Sequence, residues 1–437
     1  MKKRFTFLTS CWLIVLAWSW QSCTKEDLLP TTCNPDFRPV VMVHGFLASG
    51  DTYAKQFQRF HTNGYCWSHL RAFDWNTTGF GADNSAALDA LINEVLTTTG
   101  ATQVDLVGHS AGGGTCYTYL SDPVRAAKVA HYVHVGSSAQ SAPAGPANAS
   151  VPTLNIGSPA DLVSGTSTIP GAINLSLPNL DHYQVATGTL TFLAMYGFFN
   201  NNTAPLTAFI SDDVEAIEIA GKALTLGENQ AINAGTIKIY PVDPATGFRL
   251  SDTPLHQLTT NSNGTWGPVV VPKSQPLELE VRGTGASDRT IHYYREGFTH
   301  SDHLVYLRVL PPPFSLAGIL LGSLPSNDAQ TVMAVFSANQ AIIAGRDDFS
   351  VNGIDLATED FAPADKTAIA FFLYDDGDST TELNPVGTFG NFPFLNGIDF
   401  FMPTTPEGSI SLQYNGRSMH VKNWRSATDG IIVPVFD

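Results

Sequence analysis

The segment of this chain best equipped for chemistry is a serine flanked by glycines, Gly108-His109-Ser110-Ala111-Gly112. The spacing G-x-S-x-G sets the serine on a sharp strand-to-helix turn with its hydroxyl exposed, and the glycines are needed because the turn leaves no room for nearby side chains. A serine hydroxyl is a weak nucleophile until a base takes its proton. Acyl transfer also needs donors for the oxyanion of the tetrahedral intermediate, each worth about 3–4 kcal/mol when removed. His44-Gly45-Phe46 suits that second need. Gly45 permits a turn, and the backbone N–H of Phe46 can join that of Ala111, the residue after the serine, as an oxyanion hole. His44 is read as a brace for this loop rather than as the base.

The elements that must position these groups are visible in the patterning. Residues 39–43 (PVVMV) form a short β-branched run ending at His44, and 70–74 read as another strand. Asn84 is placed to cap a helix in which Leu88, Leu91, Ile92, Val95 and Leu96 share one face. Residues 103–107 (QVDLV) are an apolar strand leading into Gly108, and Gly113, Thr115 and Tyr117 continue as helix beyond the serine. Further strands are expected at 130–135 and 152–156, and a closing helix at 183–198. Alternation of this kind implies a mainly parallel sheet covered on both faces, an α/β fold.

Residues 39–197, from VVMVHG through GHSAGG to the closing helix, resemble the compact bacterial triacylglycerol lipases of the α/β-hydrolase superfamily. The resemblance covers somewhat over a third of the chain. It implies an α/β-hydrolase core, ester hydrolysis through an acyl-enzyme, no cofactor, and a lipid or ester substrate. In that family the nucleophile is followed in order by an acid and then a histidine, each on a loop after a strand. Carried onto this sequence, the loop after Leu154-Asn155-Ile156 puts the acid at Asp161, and Leu180-Asp181-His182 puts the base at His182. Asp181 is a poor partner for His182, since adjacent residues rarely present side chains in triad geometry. His131 and His134 lie within an apolar strand and read as structural histidines. Asp105 is expected to bond locally, and His109 to pack and hydrogen-bond.

The loop 136–151 is made of small residues and is shorter than a helical cap would need. Substrate contacts are therefore sought elsewhere, in the apolar run containing Phe314, Leu316, Ile319 and Leu320, for which a buried β-strand is the equal alternative. Beyond Asn200-Asn201-Asn202 the chain turns β-rich. Period-2 alternation at 236–240 (TIKIY) is followed by further strands at 269–271 and 277–281, with Asn263-Gly264 as a hairpin turn. This divides the chain into a signal segment (1–22), a linker (23–37), the hydrolase core (38–200), a β-sandwich-like domain (201–303) and a second β-rich domain or continuation of the first (304–437). A small lipase core followed by a β domain is similar to some long-chain lipases with an appended C-terminal β-barrel. Rival readings are a polyester depolymerase, a phospholipase or short-chain esterase on the same triad, and a surface binding protein with a vestigial core.

Charged residues are only 14% of the chain and the net charge is −16, which excludes the basic face that nucleic-acid binding requires. No metal-type Cys/His spacing appears, so no metal is expected. Asp375-Asp376-Gly377-Asp378 lacks the remaining ligands of a calcium loop and reads as a solvated turn. Lys2, Lys3 and Arg4 precede an uncharged stretch over 5–20, the pattern of an export signal. Its end, Trp20-Gln21-Ser22-Cys23, resembles a bacterial lipoprotein cleavage site, with Trp20 where Leu is usual. Thr24-Lys25-Glu26-Asp27 look like a charged outer-membrane surface tag. Cys23 is then the lipidated residue that attaches the protein to a membrane; release by ordinary secretion is the alternative. With Cys23 acylated, Cys33 and Cys66 remain available to pair in an oxidising compartment, a pairing the sequence leaves open. Cys116 reads as a small buried residue. Mass spectrometry of the mature N-terminus is expected to show an acylated Cys23, and an unacylated start elsewhere would refute it.

Overall fold

The computed structural model describes residues 33–79, 81–207, 215–285, 288–387 and 389–437. The signal segment and Cys23 lie outside the described residues. The first body is a six-stranded parallel sheet of β1 (Val40–Val43), β2 (Leu70–Phe73), β3 (Val104–His109), β4 (Val129–Val135), β5 (Thr153–Gly157) and β6 (Ile173–Ser176), in the order β2-β1-β3-β4-β5-β6. Helices α1 (Ala54–Thr62), α2 (Ser85–Thr99), α3 (Ala111–Leu120), α4 (Pro123–Ala126), α5 (Gln184–Thr187) and α6 (Thr189–Phe199) connect and cover it. Strand alternation divides the core in two. Val40 and Met42 pack with Phe57 and Phe60 of α1 and Phe192 and Met195 of α6. Val41 and Val43 pack with Leu88, Ile92 and Val95 of α2 and Cys116 and Tyr119 of α3. Side chains of successive strand residues point to opposite faces, so one apolar run serves two cores.

Some local expectations need correction. Asn84 precedes α2 but makes no side-chain cap; Asp83 accepts the Ser85 N–H instead, at 2.8 Å. The closing helix is broken at Gly188, whose extended backbone (φ −73°, ψ 155°) separates α5 from α6. Asp105 does not bond locally. It receives Arg38 at 3.1 Å and faces His131 at 2.8 Å, partners far away in sequence. Cys33 and Cys66 are joined by a disulfide, and Cys116 is free and buried.

The β region is built on an eight-stranded sheet, in the order Leu395–Asp399, Ala370–Tyr374, Met333–Ser337, Ile431–Phe436, Ile291–Arg295, Leu277–Arg282, Thr236–Pro241 and His256–Thr259. Four of these strands precede residue 304 and four follow it, joined where Ile291–Arg295 pairs in parallel with Ile431–Phe436. A three-stranded sheet (Thr265–Pro272, Ala216–Thr225, Leu307–Val309) covers one face and a four-stranded sheet covers the other. Alternation again sorts the side chains, Ala370 and Phe372 to one core and Phe371 and Leu373 to the other. The turn at Asn263-Gly264 joins strands of two different sheets, so it is a crossing point and not a paired hairpin. The run after Pro313 is neither strand nor loop: Leu316–Leu321 is a short helix, α7, capped by Ser315 through its bond from the Gly318 N–H.

The two bodies share a core. Leu224, Leu304 and Tyr306 of the β region are buried among the side chains of β1, α1 and α6. Cutting the chain there exposes apolar area at a cost of about 25 cal/mol per Å². A fragment of residues 33–207 is therefore expected to melt well below the whole chain or to aggregate, and thermal unfolding followed by circular dichroism checks this. Equal melting temperatures would show that the core stands alone.

Candidate active site

Ser110 ends β3 and begins α3, and its backbone sits at φ 52°, ψ −124°, a conformation that non-glycine residues adopt only under constraint. The constraint is the packing of its neighbours. A Cβ on Gly112 would lie 2.4 Å from the Val43 carbonyl oxygen, one on Gly113 2.3 Å from Ser137 Oγ, and one on Gly108 2.9 Å from Cys116 Sγ. The Ser110 N–H donates to the Val135 carbonyl at 3.0 Å and Ser137 Oγ donates to the Ser110 carbonyl at 2.7 Å. The hydroxyl is thereby held at the carboxy-terminal edge of the sheet.

The loops after β5 and β6 bring the other two residues to it. His182 Nε2 lies 3.0 Å from Ser110 Oγ, and His182 Nδ1 lies 2.9 Å from one Asp161 carboxylate oxygen and 3.1 Å from the other. Asp161 also accepts the Val163 and Ser164 N–H groups and the Ser164 hydroxyl. Burial works to raise its pKa, but the bonds from His182 and Ser164 outweigh that and hold the carboxyl at about 2. Asp181 turns the other way: it receives Arg346 at 2.7 Å and the Ala341 N–H at 3.2 Å, both from the β region. His109 Nε2 contacts the His182 carbonyl at 2.9 Å. A carbonyl only accepts, so this nitrogen carries the proton and the ring helps to hold the His182 loop. His134 is occupied by Tyr132 Oη and the Ser138 carbonyl.

Gly45 lies directly against the serine, since a Cβ there would stand 3.0 Å from Ser110 Cβ and 3.4 Å from its Oγ. Phe46 follows it in the wall of a cavity of about 310 Å³ over the serine, with Ala48, His109, His182, Tyr183, Ile369 and Phe394. Ala111 opens α3, where the first N–H groups have no helical partner. His44 is fully buried and its pKa is lowered by that burial. Its Nδ1 contacts the Gly45 carbonyl at 2.9 Å, so the proton sits there and Nε2 is left to face the Trp75 N–H and the Asn229 amide, each at 3.4 Å.

The β region supplies what sequence reading missed. The Phe394 ring lies parallel to His182, centroids 5.6 Å apart, and with Ile369 it roofs the serine. Ala48, Tyr183, Ile369 and Phe394 also line a second cavity of about 1050 Å³, between the hydrolase core and the β region. Of the four residues expected to touch substrate, Leu320 lines that cavity, beside Ala317 and Leu321. Phe314, Leu316 and Ile319 do not. Leu316 and Ile319 are three residues apart on the outer face of α7, and Phe314 stands in the turn before the helix, 95% exposed.

Among the described residues two groups have their ligand atoms close enough to hold a cation. In the first, Glu278, Glu280 and His292, the Arg249 guanidinium already bonds both carboxylates. In the second, Asp375, Asp376 and Asp378, Asp375 and Asp378 accept backbone N–H groups of their own turn.

Three family models match the chain in succession. Residues 38–157 match the alpha/beta hydrolase fold, 215–312 the lipase C-terminal domain, and 334–437 a further model described as a C-terminal domain. Similar solved structures include the mature lipase of Bacillus licheniformis (17% identity, TM-score 0.33, covering 38% of this chain and 94% of that one). The monoacylglycerol lipase of Paleococcus ferrophilus (14%, 0.30, 38% and 97%) and an esterase of Exiguobacterium antarcticum (16%, 0.29, 37% and 91%) are also similar. Fold and family models together define a lipase/esterase-type α/β hydrolase with an appended β region.

Burial, reinforced by the neighbouring His182, pushes the His109 imidazole down to about 3. In the unfolded chain it returns to its ordinary value of 6.5. The unfolded state therefore binds a proton that the folded state refuses between those values. The stability His109 contributes is complete above pH 6.5 and is lost as the pH falls toward 3. The urea midpoint of the wild type is expected to fall more steeply across that window than that of His109→Asn, and equal slopes would refute the assignment.

Proposed function

We propose that this protein hydrolyses carboxylic esters of long acyl chains, with Ser110 as nucleophile, His182 as general base and acid, and Asp161 as its orienting anion. His182 takes the Ser110 proton as Oγ attacks the ester carbonyl, and the Phe46 and Ala111 N–H groups receive the oxyanion. His182 then protonates the leaving alcohol, and water repeats the cycle on the acyl-enzyme. The 3.0 Å contact of His182 Nε2 with Ser110 Oγ supports the base. The anionic state of Asp161 supports its role in holding the imidazole in the correct tautomer.

One observation carries the substrate reading: the small cavity over Ser110 shares four wall residues with the larger one behind it. The larger cavity runs between the hydrolase core and the β region, with Ala48 and Tyr183 from the one and Ile369 and Phe394 from the other in the shared wall. Its apolar wall is formed by Leu47, Leu226, Leu320, Leu321, Phe336 and Phe394, and its polar wall by Lys55 and the ion pairs Arg308–Asp51 and Arg295–Asp437. Apolar walls of this kind are worth about 0.8 kcal/mol for each methylene they take from water, so the cavity favours long chains over short ones. The export signal and Cys23 support anchorage of this activity at the cell surface, where exogenous lipid is met.

Ser110→Ala is expected to lower ester hydrolysis by on the order of 10⁵–10⁶-fold with no change in fold, and retained turnover would overturn the mechanism. On a p-nitrophenyl ester series, kcat/KM of the wild type is expected to rise from butyrate to palmitate. A maximum at acetate or butyrate would instead identify a short-chain esterase, and clearing of polyester films a depolymerase. Failure of the wild type to react with a fluorophosphonate would identify a core without hydrolytic function.

A further inference from the structure

The loop that carries Phe46 is held, residue by residue, from the β region. Thr77 Oγ1 receives the Leu47 N–H at 3.1 Å and donates to the Gly227 carbonyl at 2.7 Å. The Asn229 amide donates to the Ala48 carbonyl at 2.9 Å and to the Trp75 carbonyl at 2.9 Å. Arg308 donates to Ser49 Oγ at 3.0 Å through Nε and pairs with Asp51. Asp74 accepts the Gly50 N–H at 2.8 Å while its other oxygen receives Lys222 at 2.6 Å and the Tyr306 hydroxyl at 3.0 Å. Five consecutive residues, 47 to 51, are thus tied directly or through one side chain to the β region.

The loop needs such holding. Leu47 sits at φ 57°, a left-handed conformation that costs a non-glycine residue of order 1–3 kcal/mol and persists only when the surroundings over-determine it. Gly45, next to the nucleophile, has no side chain to anchor it. Asn229 is the tie that reaches both the loop and its brace, since its amide also faces His44 Nε2 at 3.4 Å. Both strong acceptors are carbonyls, so the group between them must be a donor, and Asp of the same shape cannot replace it. Asn229 is itself at φ 55° and buried in the turn after Ala216–Thr225.

We infer that Asn229 is a positioning residue for the oxyanion hole, so that the β region completes the catalytic centre as well as covering it. The inference rests on the reading of Phe46 and Ser110 given above. A loop released by a fraction of an ångström keeps its substrate pocket but misplaces the N–H aimed at the oxyanion, which costs transition-state stabilisation rather than ground-state binding.

The test uses the full chain with Asn229→Gly, which removes the amide at a positive φ that glycine adopts freely, and with Asn229→Asp, which keeps the shape and removes the donor. Rates are measured on butyrate and palmitate esters. Affinity is measured for an alkyl trifluoromethyl ketone, to whose carbonyl carbon Ser110 Oγ adds while its proton passes to His182, leaving an oxyanion in the hole. The methyl ketone of the same chain length serves as the ground-state probe. The expected result for both variants is a fall in kcat of about 10–100-fold, equal on both esters, with KM within about threefold. Trifluoromethyl ketone affinity is expected to fall in parallel while methyl ketone affinity stays unchanged. Unchanged kcat and trifluoromethyl ketone affinity in the variant that folds would overturn the inference, as would a KM rise confined to palmitate, which would make Asn229 a wall of the acyl cavity. Should Ser110→Ala hydrolyse esters like the wild type, the nucleophile assignment falls and this role with it. An inactive Ser110→Ala beside a fully active Asn229→Gly would remove only the role of Asn229.

Discussion

At Ser110 the backbone passes from strand to helix within one residue, at φ 52°, ψ −124°. Nothing in the serine favours that geometry; close packing on both sides imposes it. The Gly112 Cα is pressed toward the carbonyls of Val43 and His44, and Gly113 toward Ser137, with no space for a methyl group at either. The approach of α3 to β1 and to the end of β4 therefore depends on glycine at these positions, and the exposure of the hydroxyl depends on that approach. The same packing sets the loop after β1 beside the serine, because Gly45 touches Ser110 directly. A strained turn thus fixes both the Ser110 hydroxyl and the loop beside it.

The remaining contacts arrive from loops, which have no intrinsic reason to converge. Asp161 and His182 follow parallel strands β5 and β6, and a parallel sheet delivers all its strand ends to one edge. His182 is then fixed from three sides, by Asp161 through Nδ1, by His109 at its carbonyl, and by Phe394 against its ring. The neighbouring Asp181 is drawn outward to Arg346. The two carboxylates are thus used differently: Asp161 holds the His182 ring, and Asp181 ties the His182 loop to the β region. The β region meets the centre at both loops, through Arg346 on one side and Asn229 and Arg308 on the other.

That arrangement also explains the lack of a helical cap. The loop 136–151 contains no helix, and the roof over the serine comes from Phe394 and Ile369, more than 180 residues downstream. The cavity behind it has one wall from the hydrolase core and the others from the β region. Burial of Leu224, Leu304 and Tyr306 among core side chains makes this roof a part of the folded body.

Much of the site was legible in the residues themselves. The strand ending at His44, the strand–elbow–helix around Ser110, and the apolar face of α2 are local patterns, encoded by contacts a few residues apart. Asp161 and His182 were read through resemblance, from their order after the nucleophile. Local patterning was silent or misleading where partners are distant. Asp105 looked locally bonded but pairs with Arg38, and the run at 314–321 offered strand and substrate contact equally, whereas Phe314 lies in an exposed turn and the helix after it turns Leu316 and Ile319 outward and leaves Leu320 on the cavity. The sequence by itself determined the strand–elbow–helix around Ser110, because a tight turn and its glycines are a short-range demand on residue type. Which side chains roof Ser110 and hold the loop after β1 was decided only by the tertiary structure. Asn229, Arg308, Ile369 and Phe394 acquire those places from how two independently patterned bodies pack, and no spacing along the chain records that.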